Sequence, residues 1–150
     1  MTVAKDANAC AQEPMAWFQH DAVASQDQKC QRLLYRYGNE GYGMFWRLVE
    51  LLASATGHAL SLETDEDWLI LANQIGIRRG GAFDEVQAVD DCREFVDCLL
   101  DIGLLTRDGE GRVESQRLQR NALLFGKRKA GGSAGGRPRK SKPESGKQQA

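Results

Sequence analysis

The chain has 150 residues, with 20 Lys+Arg, 21 Asp+Glu and 41% hydrophobic residues. This length suits one domain with a modest core, since domains of about 100–150 residues are the commonest. No apolar run approaches the roughly 20 residues needed to span a bilayer, and the chain does not begin with the basic and then apolar order of a secretory signal. These features disfavour membrane and secreted classes, and we expect a cytoplasmic protein with no membrane partner.

Charge is divided unevenly along the chain. Residues 1–116 hold 10 Lys+Arg against 20 Asp+Glu, a net charge of −10. Residues 117–150 hold 10 Lys+Arg against one acid, a net charge of +9. The sequence therefore predicts an acidic body that carries a basic tail.

Motifs for catalysis or metal binding are absent from the sequence. The four cysteines show no CxxC spacing, and only His20 and His58 could add imidazole ligands. The adjacent His20 and Asp21 need not face each other, and no motif-placed nucleophile accompanies them, so we expect a structural role for His20. No glycine-rich phosphate motif occurs. We expect no enzyme activity, no cofactor and no metal.

The N-terminal half predicts a leader, two helices and a strand. Residues 1–15 lack periodicity and are expected to form a flexible leader. Asp27 can cap a helix through Tyr37 that Gly38 ends, and apolar residues at three- and four-residue steps predict a second helix over 40–55. The alternation over 57–62 predicts a short strand.

The C-terminal half predicts three more helices and a hairpin. Thr64 and Asp67 form a capping-box pair before a helix over 65–75. A long helix runs from Asp84 to about Ile102, where Gly103 stops it. The turn residues 108–111 indicate a β-hairpin. A last helix over 116–125 and a disordered tail over 126–150 complete the chain.

This order predicts a mainly helical α+β fold, a winged helix-turn-helix over 16–125. The strand near Leu60 would pair with the hairpin to form the wing sheet, and the 65–75 helix would take the recognition position. That helix begins with three acids, Asp65–Asp67, which DNA phosphates would repel, so we do not expect it to read the major groove. The long helix over 84–102 is also acidic. It is read equally well as a surface for protein contact or as a solvated face.

The basic tail is the candidate DNA-binding site. Its candidate residues are Arg117, Arg120, Lys127, Arg128, Lys129, Arg137, Pro138, Arg139, Lys140 and Lys142. The Gly-Arg-Pro at 136–138 resembles the core of the AT-hook, whose arginines lie in the narrow minor groove of A·T-rich DNA. Three interpretations stay open: minor-groove binding, sequence-independent attraction to phosphates, and a solubilising tail.

Several segments carry a resemblance to a known family. The N-terminal domain of phage and prophage proteins related to DnaD-like replisome organisers resembles this chain at Trp-Phe-Gln-His-Asp over 17–21, at Ser-Gln-Asp-Gln-Lys over 25–29, and at Tyr-Gly-Asn-Glu-Gly-Tyr-Gly-Met-Phe-Trp over 37–46 with Leu-Val-Glu-Leu-Leu over 48–52. The resemblance covers about residues 16–125. It implies a winged-helix fold, a bacterial host, a place in phage replication initiation, and DNA and replication proteins as partners.

Two hypotheses of function follow. In the first, the protein is a DNA-associated replication accessory whose basic tail holds duplex DNA, non-specifically or at A·T-rich sites, while the acidic body contacts replication proteins or a second copy of the chain. In the second, it is a protein-binding module or an acidic decoy that inhibits a host protein and has no specific DNA role.

Overall fold

The protein is a mainly helical α+β protein with one small sheet. A computed structural model of the chain describes residues 6–134. Its helices are α1 (Ala7–Ala11), α2 (Gln28–Ser54), α3 (Asp65–Ile75), α4 (Glu85–Ile102) and α5 (Gln116–Ala134), and its strands are β1 (Ala59–Leu60), β2 (Thr106–Arg107) and β3 (Val113–Glu114). The three strands are antiparallel, in the order β1–β3–β2. Among these described helices, none has the length and apolar character that crossing a membrane requires.

The two helices predicted over 27–37 and 40–55 are the two arms of α2. The Asp27 carboxylate caps the first arm by accepting a hydrogen bond from the Lys29 backbone N–H at 3.1 Å. Gly38 separates the arms because its backbone, at φ +66° and ψ −162°, is not helical. A residue with a side chain would be strained at this positive φ, so glycine is what allows the change of direction.

Local capping signals set the bounds of α3 and α4. The Thr64 hydroxyl accepts from the Asp67 N–H at 3.2 Å, and the Asp67 carboxylate accepts from the Thr64 N–H at 3.0 Å. The backbone hydrogen bonds from Thr64 and Glu63 lower the pKa of Asp67. Asp84 caps α4, and Gly103 ends it at φ +91°. The predicted ranges of both helices are confirmed. Of the two, α4 is the helix that leads directly into the β2–β3 hairpin.

The core lies where α2, α3 and α4 meet above the sheet. Its fully buried side chains include Leu33, Leu48, Leu52, Phe95, Val96 and Leu99. The Tyr37 ring meets Phe95 edge-on at a centroid distance of 5.1 Å, which joins the first arm of α2 to α4. Apolar burial of this kind is the main stabilising term of a small domain.

Helix replaces expected flexible chain in two places. Residues 7–11 form α1 inside the expected leader, and its Cys10 and Ala11 are buried. Helix α5 continues beyond Phe125 to Ala134, into the expected disordered tail. Residues 1–5 and 135–150 of those two expected segments lie outside the described residues.

Helix α1 and the unexpected continuation of α5 pack on each other. A Cβ built on Gly126 of α5 would lie 2.7 Å from the Ala11 nitrogen and 3.0 Å from the Ala11 Cα, so only glycine permits the observed approach. Next to this contact, the rings of Trp17 and Phe125 meet edge-to-face at a centroid distance of 4.6 Å. The N-terminal residues and the end of α5 therefore stabilise each other by packing, although neither has a packing partner near it in the sequence.

His58 ties the end of α1 to the end of α2. Its imidazole is completely buried, with Nε2 2.8 Å from the Ala11 carbonyl oxygen and Nδ1 3.0 Å from that of Leu52. Two backbone hydrogen bonds run beside it, from the Met15 N–H to the Ala53 oxygen and from the Gly57 N–H to the Gln12 oxygen, both at 2.8 Å. We refer to residues 6–21 as the N-terminal segment, which these contacts fix to the body.

We expect Trp46→Ala to destabilise the protein by about 3 kcal/mol, because the half-buried indole contacts the rings of Phe18, His20, Tyr42 and Phe45. Trp46→Phe should cost much less. The indole N–H has no hydrogen-bond partner among the described residues, so losing it removes no bond. Urea unfolding measures both free energies. An equal cost for the two variants would contradict this account of the Trp46 ring contacts.

We expect Gly126→Ala and Gly131→Ala to change stability in opposite directions. Both residues lie in α5, where alanine is favoured over glycine by up to about 1 kcal/mol. A Cβ at Gly131 meets nothing within 4 Å, so Gly131→Ala should raise the melting temperature. Gly126→Ala should lower it by forcing α1 away. A rise in melting temperature for both variants would show that α1 does not press on α5.

Candidate nucleic-acid interface

Helix α5 carries every predicted DNA-binding residue that the structure describes. These residues are Arg117, Arg120, Lys127, Arg128 and Lys129. The other predicted residues, Arg137, Pro138, Arg139, Lys140 and Lys142, lie outside the described residues, so the minor-groove interpretation stays a prediction from the sequence.

Four of the five cations share the outer face of α5. Residues 117, 120, 124, 127 and 128 follow one another at helical spacings, which places them on one side. Leu118, Ala122 and Gly126 form the buried side. Lys129 lies apart from the other cations, towards the N-terminal segment. We call the surface formed by Arg117, Arg120, Leu124, Lys127 and Arg128 the basic face.

Two α5 cations form ion pairs with the N-terminal segment. The Arg117 guanidinium binds the Asp21 carboxylate, and the Lys129 ammonium binds the Glu13 carboxylate. Within residues 6–134, Arg120, Lys127 and Arg128 have no ion pair, and all three are exposed. These three cations of the basic face therefore form an open cluster of positive charge, whereas Arg117 is paired.

Four of the eight arginines of the body form ion pairs with acids. Arg79 binds both oxygens of Asp91, at 2.7 and 2.8 Å, and its hydrogen bond lowers the pKa of Asp91. Further pairs join Arg36 to Asp101 at 2.9 Å, Arg93 to Asp65 at 2.6 Å and Arg112 to Asp108 at 2.8 Å. Arg78 lies over the Phe83 ring, 5.1 Å from its centroid. The body thus offers DNA few free cations beside one another.

The exposed face of α4 is acidic. Asp90, Glu94 and Asp97 are exposed at four- and three-residue spacings, and none of them forms an ion pair within residues 6–134. Like charges at these spacings repel one another along a helix. This face would repel phosphates as well. It can attract only a positively charged surface.

A cavity of about 400 Å³ opens at the start of α5. Phe45, Trp46 and Leu118 form apolar parts of its wall, and Lys29 and Arg117 contribute cations. The Lys29 ammonium donates a hydrogen bond to the Gly103 oxygen at 3.2 Å, so it is already engaged.

His20 and Asp21 do not act as a pair. The His20 ring faces Trp46, with centroids 4.0 Å apart, while Asp21 binds Arg117. Among the residues that the structure describes, no three His, Cys, Asp or Glu side chains form a group that could hold a metal ion.

Sequence reasoning missed the acids that face α5. Glu13 and Lys129 lie 116 positions apart, and no local pattern links them. The one available signal was the charge of the leader, whose acids could be matched with cations at the other end of the chain. The role of Gly126 was missed too, because the helix was predicted to end at Phe125. The signal that could have found it is that a glycine inside a helix can mark a close packing contact.

Comparison with known proteins identifies the family. Residues 17–113 match the family described as Lin1244/Lin1753-like, N-terminal, and the match ends before α5 begins. No curated protein and no solved structure matches the chain significantly. The matched stretch covers more than half of the chain and includes the segments within 17–52 that carry the phage-type pattern. The chain therefore belongs to the Lin1244/Lin1753-like N-terminal family, a prophage-type domain.

Proposed function

We propose that the protein is a DNA-associated accessory of prophage replication, in which the basic face of α5 and the residues after it hold duplex DNA. The observation that carries this proposal is the cluster of Arg120, Lys127 and Arg128, which are exposed and have no ion pair within residues 6–134. Elsewhere in the body, four of the eight arginines are paired with acids, and the exposed face of α4 is acidic.

The dimensions of the basic face suit contacts with phosphates. Arg117 and Arg128 are separated by about 16 Å along the helix axis at the standard rise per residue. The major groove is about 12 Å wide, so the two ends of the face reach phosphates on both sides of a groove. Each neutralised phosphate releases counterions, which gives affinity without reading the sequence. The proposed binding is therefore sequence-independent and sensitive to salt.

The order of elements supports a winged-helix arrangement. A helix, a strand, two helices and a hairpin follow one another from α2 to β3, and the central strand of the sheet is β3. In such a fold the helix before the hairpin takes the recognition position, which is α4 rather than the expected α3. Because α4 exposes Asp90, Glu94 and Asp97, we assign DNA contact to α5 instead.

The acidic face of α4 supports a second role, contact with a basic protein surface. A replication protein, or the basic face of a second copy of this chain, has the complementary charge. If DNA binding is absent, this face favours the alternative function, a protein-binding module or an acidic decoy of a host protein. The link to DnaD-like replisome organisers rests on the pattern within 17–52, and the family match supports its phage context.

We expect Arg120→Gln/Lys127→Gln/Arg128→Gln to weaken duplex DNA binding and to flatten its salt dependence. Each lost phosphate contact reduces the slope of log K against log salt by about 0.9. The matched control is Arg32→Gln/Arg47→Gln/Arg107→Gln, which removes the same charge from exposed positions outside α5. Fluorescence anisotropy with a short labelled duplex, at several salt concentrations, measures both quantities.

The control should retain most of the wild-type slope, because its residues lie outside the proposed interface. Equal losses in the two triple variants would leave only the net charge of the protein as the cause. No binding by the wild-type chain at low salt would contradict the proposed function.

A further inference from the structure

The N-terminal segment runs along α5 and meets both its first and its last described cations, Arg117 and Lys129. Helix α1 packs on Gly126, and Trp17 packs on Phe125. The segment also forms two ion pairs with α5, one between Glu13 and Lys129 and one between Asp21 and Arg117. Both carboxylates therefore occupy cations on the helix to which we assign DNA.

The segment is held in place by contacts that do not involve these charges. His58 Nε2 lies 2.8 Å from the Ala11 oxygen, and the Met15 N–H donates to the Ala53 oxygen at 2.8 Å. A segment fixed in this way keeps its carboxylates near α5 even when an ion pair opens. The effective concentration of each acid at its cation is accordingly high.

We propose that the N-terminal segment is an autoinhibitory strap, in which Glu13 and Asp21 compete with DNA phosphates for Lys129 and Arg117. The proposal rests on the proposed function, since it concerns the same DNA-binding helix. Carboxylate and phosphate oxygens accept the same charge-assisted hydrogen bonds from Arg and Lys, so one cation cannot serve both fully. The strap lowers affinity for DNA without covering Arg120, Lys127 or Arg128.

The competition is weak enough for DNA to overcome. Both pairs are partly exposed: the side chains of Arg117 and Asp21 are 42% and 41% accessible, and that of Lys129 is 64% accessible. Exposed ion pairs of this kind contribute little to stability. A dense row of phosphates can therefore displace the carboxylates, and the strap adjusts affinity rather than abolishing binding.

The direct test compares full-length Glu13→Gln/Asp21→Asn with the wild-type chain in a salt titration against a short duplex. We expect affinity to rise by roughly three- to tenfold and the salt slope to steepen by about 0.9 for each cation that is freed. The control, Glu50→Gln/Glu66→Gln, removes the same charge from exposed positions on α2 and α3. Circular dichroism should show that both double variants keep the wild-type helix content.

A second comparison isolates one pair. Lys129→Gln should weaken DNA binding little in the wild-type chain, where Glu13 already occupies the ammonium. The same substitution should weaken binding clearly in the Glu13→Gln background, where Lys129 is free to meet a phosphate. This dependence on background is the expected coupling between two residues that contact each other.

The outcomes separate the strap from the proposed function. If wild-type protein binds duplex DNA but Glu13→Gln/Asp21→Asn gains no more affinity or slope than Glu50→Gln/Glu66→Gln, the strap is wrong and DNA binding by α5 stands. Equal effects of Lys129→Gln in both backgrounds would also overturn the strap. If wild-type protein does not bind duplex DNA at low salt, the proposed function fails and the strap falls with it.

Discussion

The close approach of α1 to α5 at Gly126 is the contact on which the arrangement of this protein depends. It brings the two ends of the described chain together and leaves no room for a side chain at that point. Without it, the glycine-rich part of α5 would have a weak intrinsic tendency to be helical, since glycine is among the poorest helix formers. The contact therefore extends the helix that carries the basic face and fixes which side of that helix meets solvent.

The positions of paired and unpaired charged side chains follow from how the helices pack. In the body, acids and arginines neutralise each other at short range, as Arg79 and Asp91 do. Helix α4 keeps unpaired acids on its exposed side, and α5 keeps unpaired cations on its own. Two oppositely charged helical surfaces on one small domain suit simultaneous contact with a polyanion and with a basic protein. The near-neutral total charge hides this division.

Local signals were enough to predict most of the body. The capping box at Thr64, the Asp84 cap and the Gly103 stop act within a few residues, so the ranges of α3 and α4 follow from sequence alone. The turn over 108–111 likewise predicted the hairpin. The order of α3, α4 and the hairpin was predicted as well, and the choice of α4 over α3 as the recognition helix belongs to the proposed winged-helix arrangement.

Segments stabilised by distant partners were not predictable in this way. Helix α1 and the last part of α5 have little apolar periodicity, and their partners lie at the opposite end of the chain. Buried His58 is a similar case, because its two carbonyl partners belong to α1 and α2 and no motif marks them. The cations of α5 were predicted as candidates, whereas the acids that oppose two of them were not.

DNA contact by α5 is tested most directly by an NMR titration of the isotope-labelled, full-length protein with a short duplex. Backbone amide shifts report which residues meet DNA. If α5 holds the DNA, the shifts within the described chain concentrate on α5 and on the N-terminal segment that contacts it, and α4 and the hairpin stay unchanged. Shifts concentrated on α4 and the β2–β3 hairpin, with α5 unchanged, would contradict DNA contact by α5.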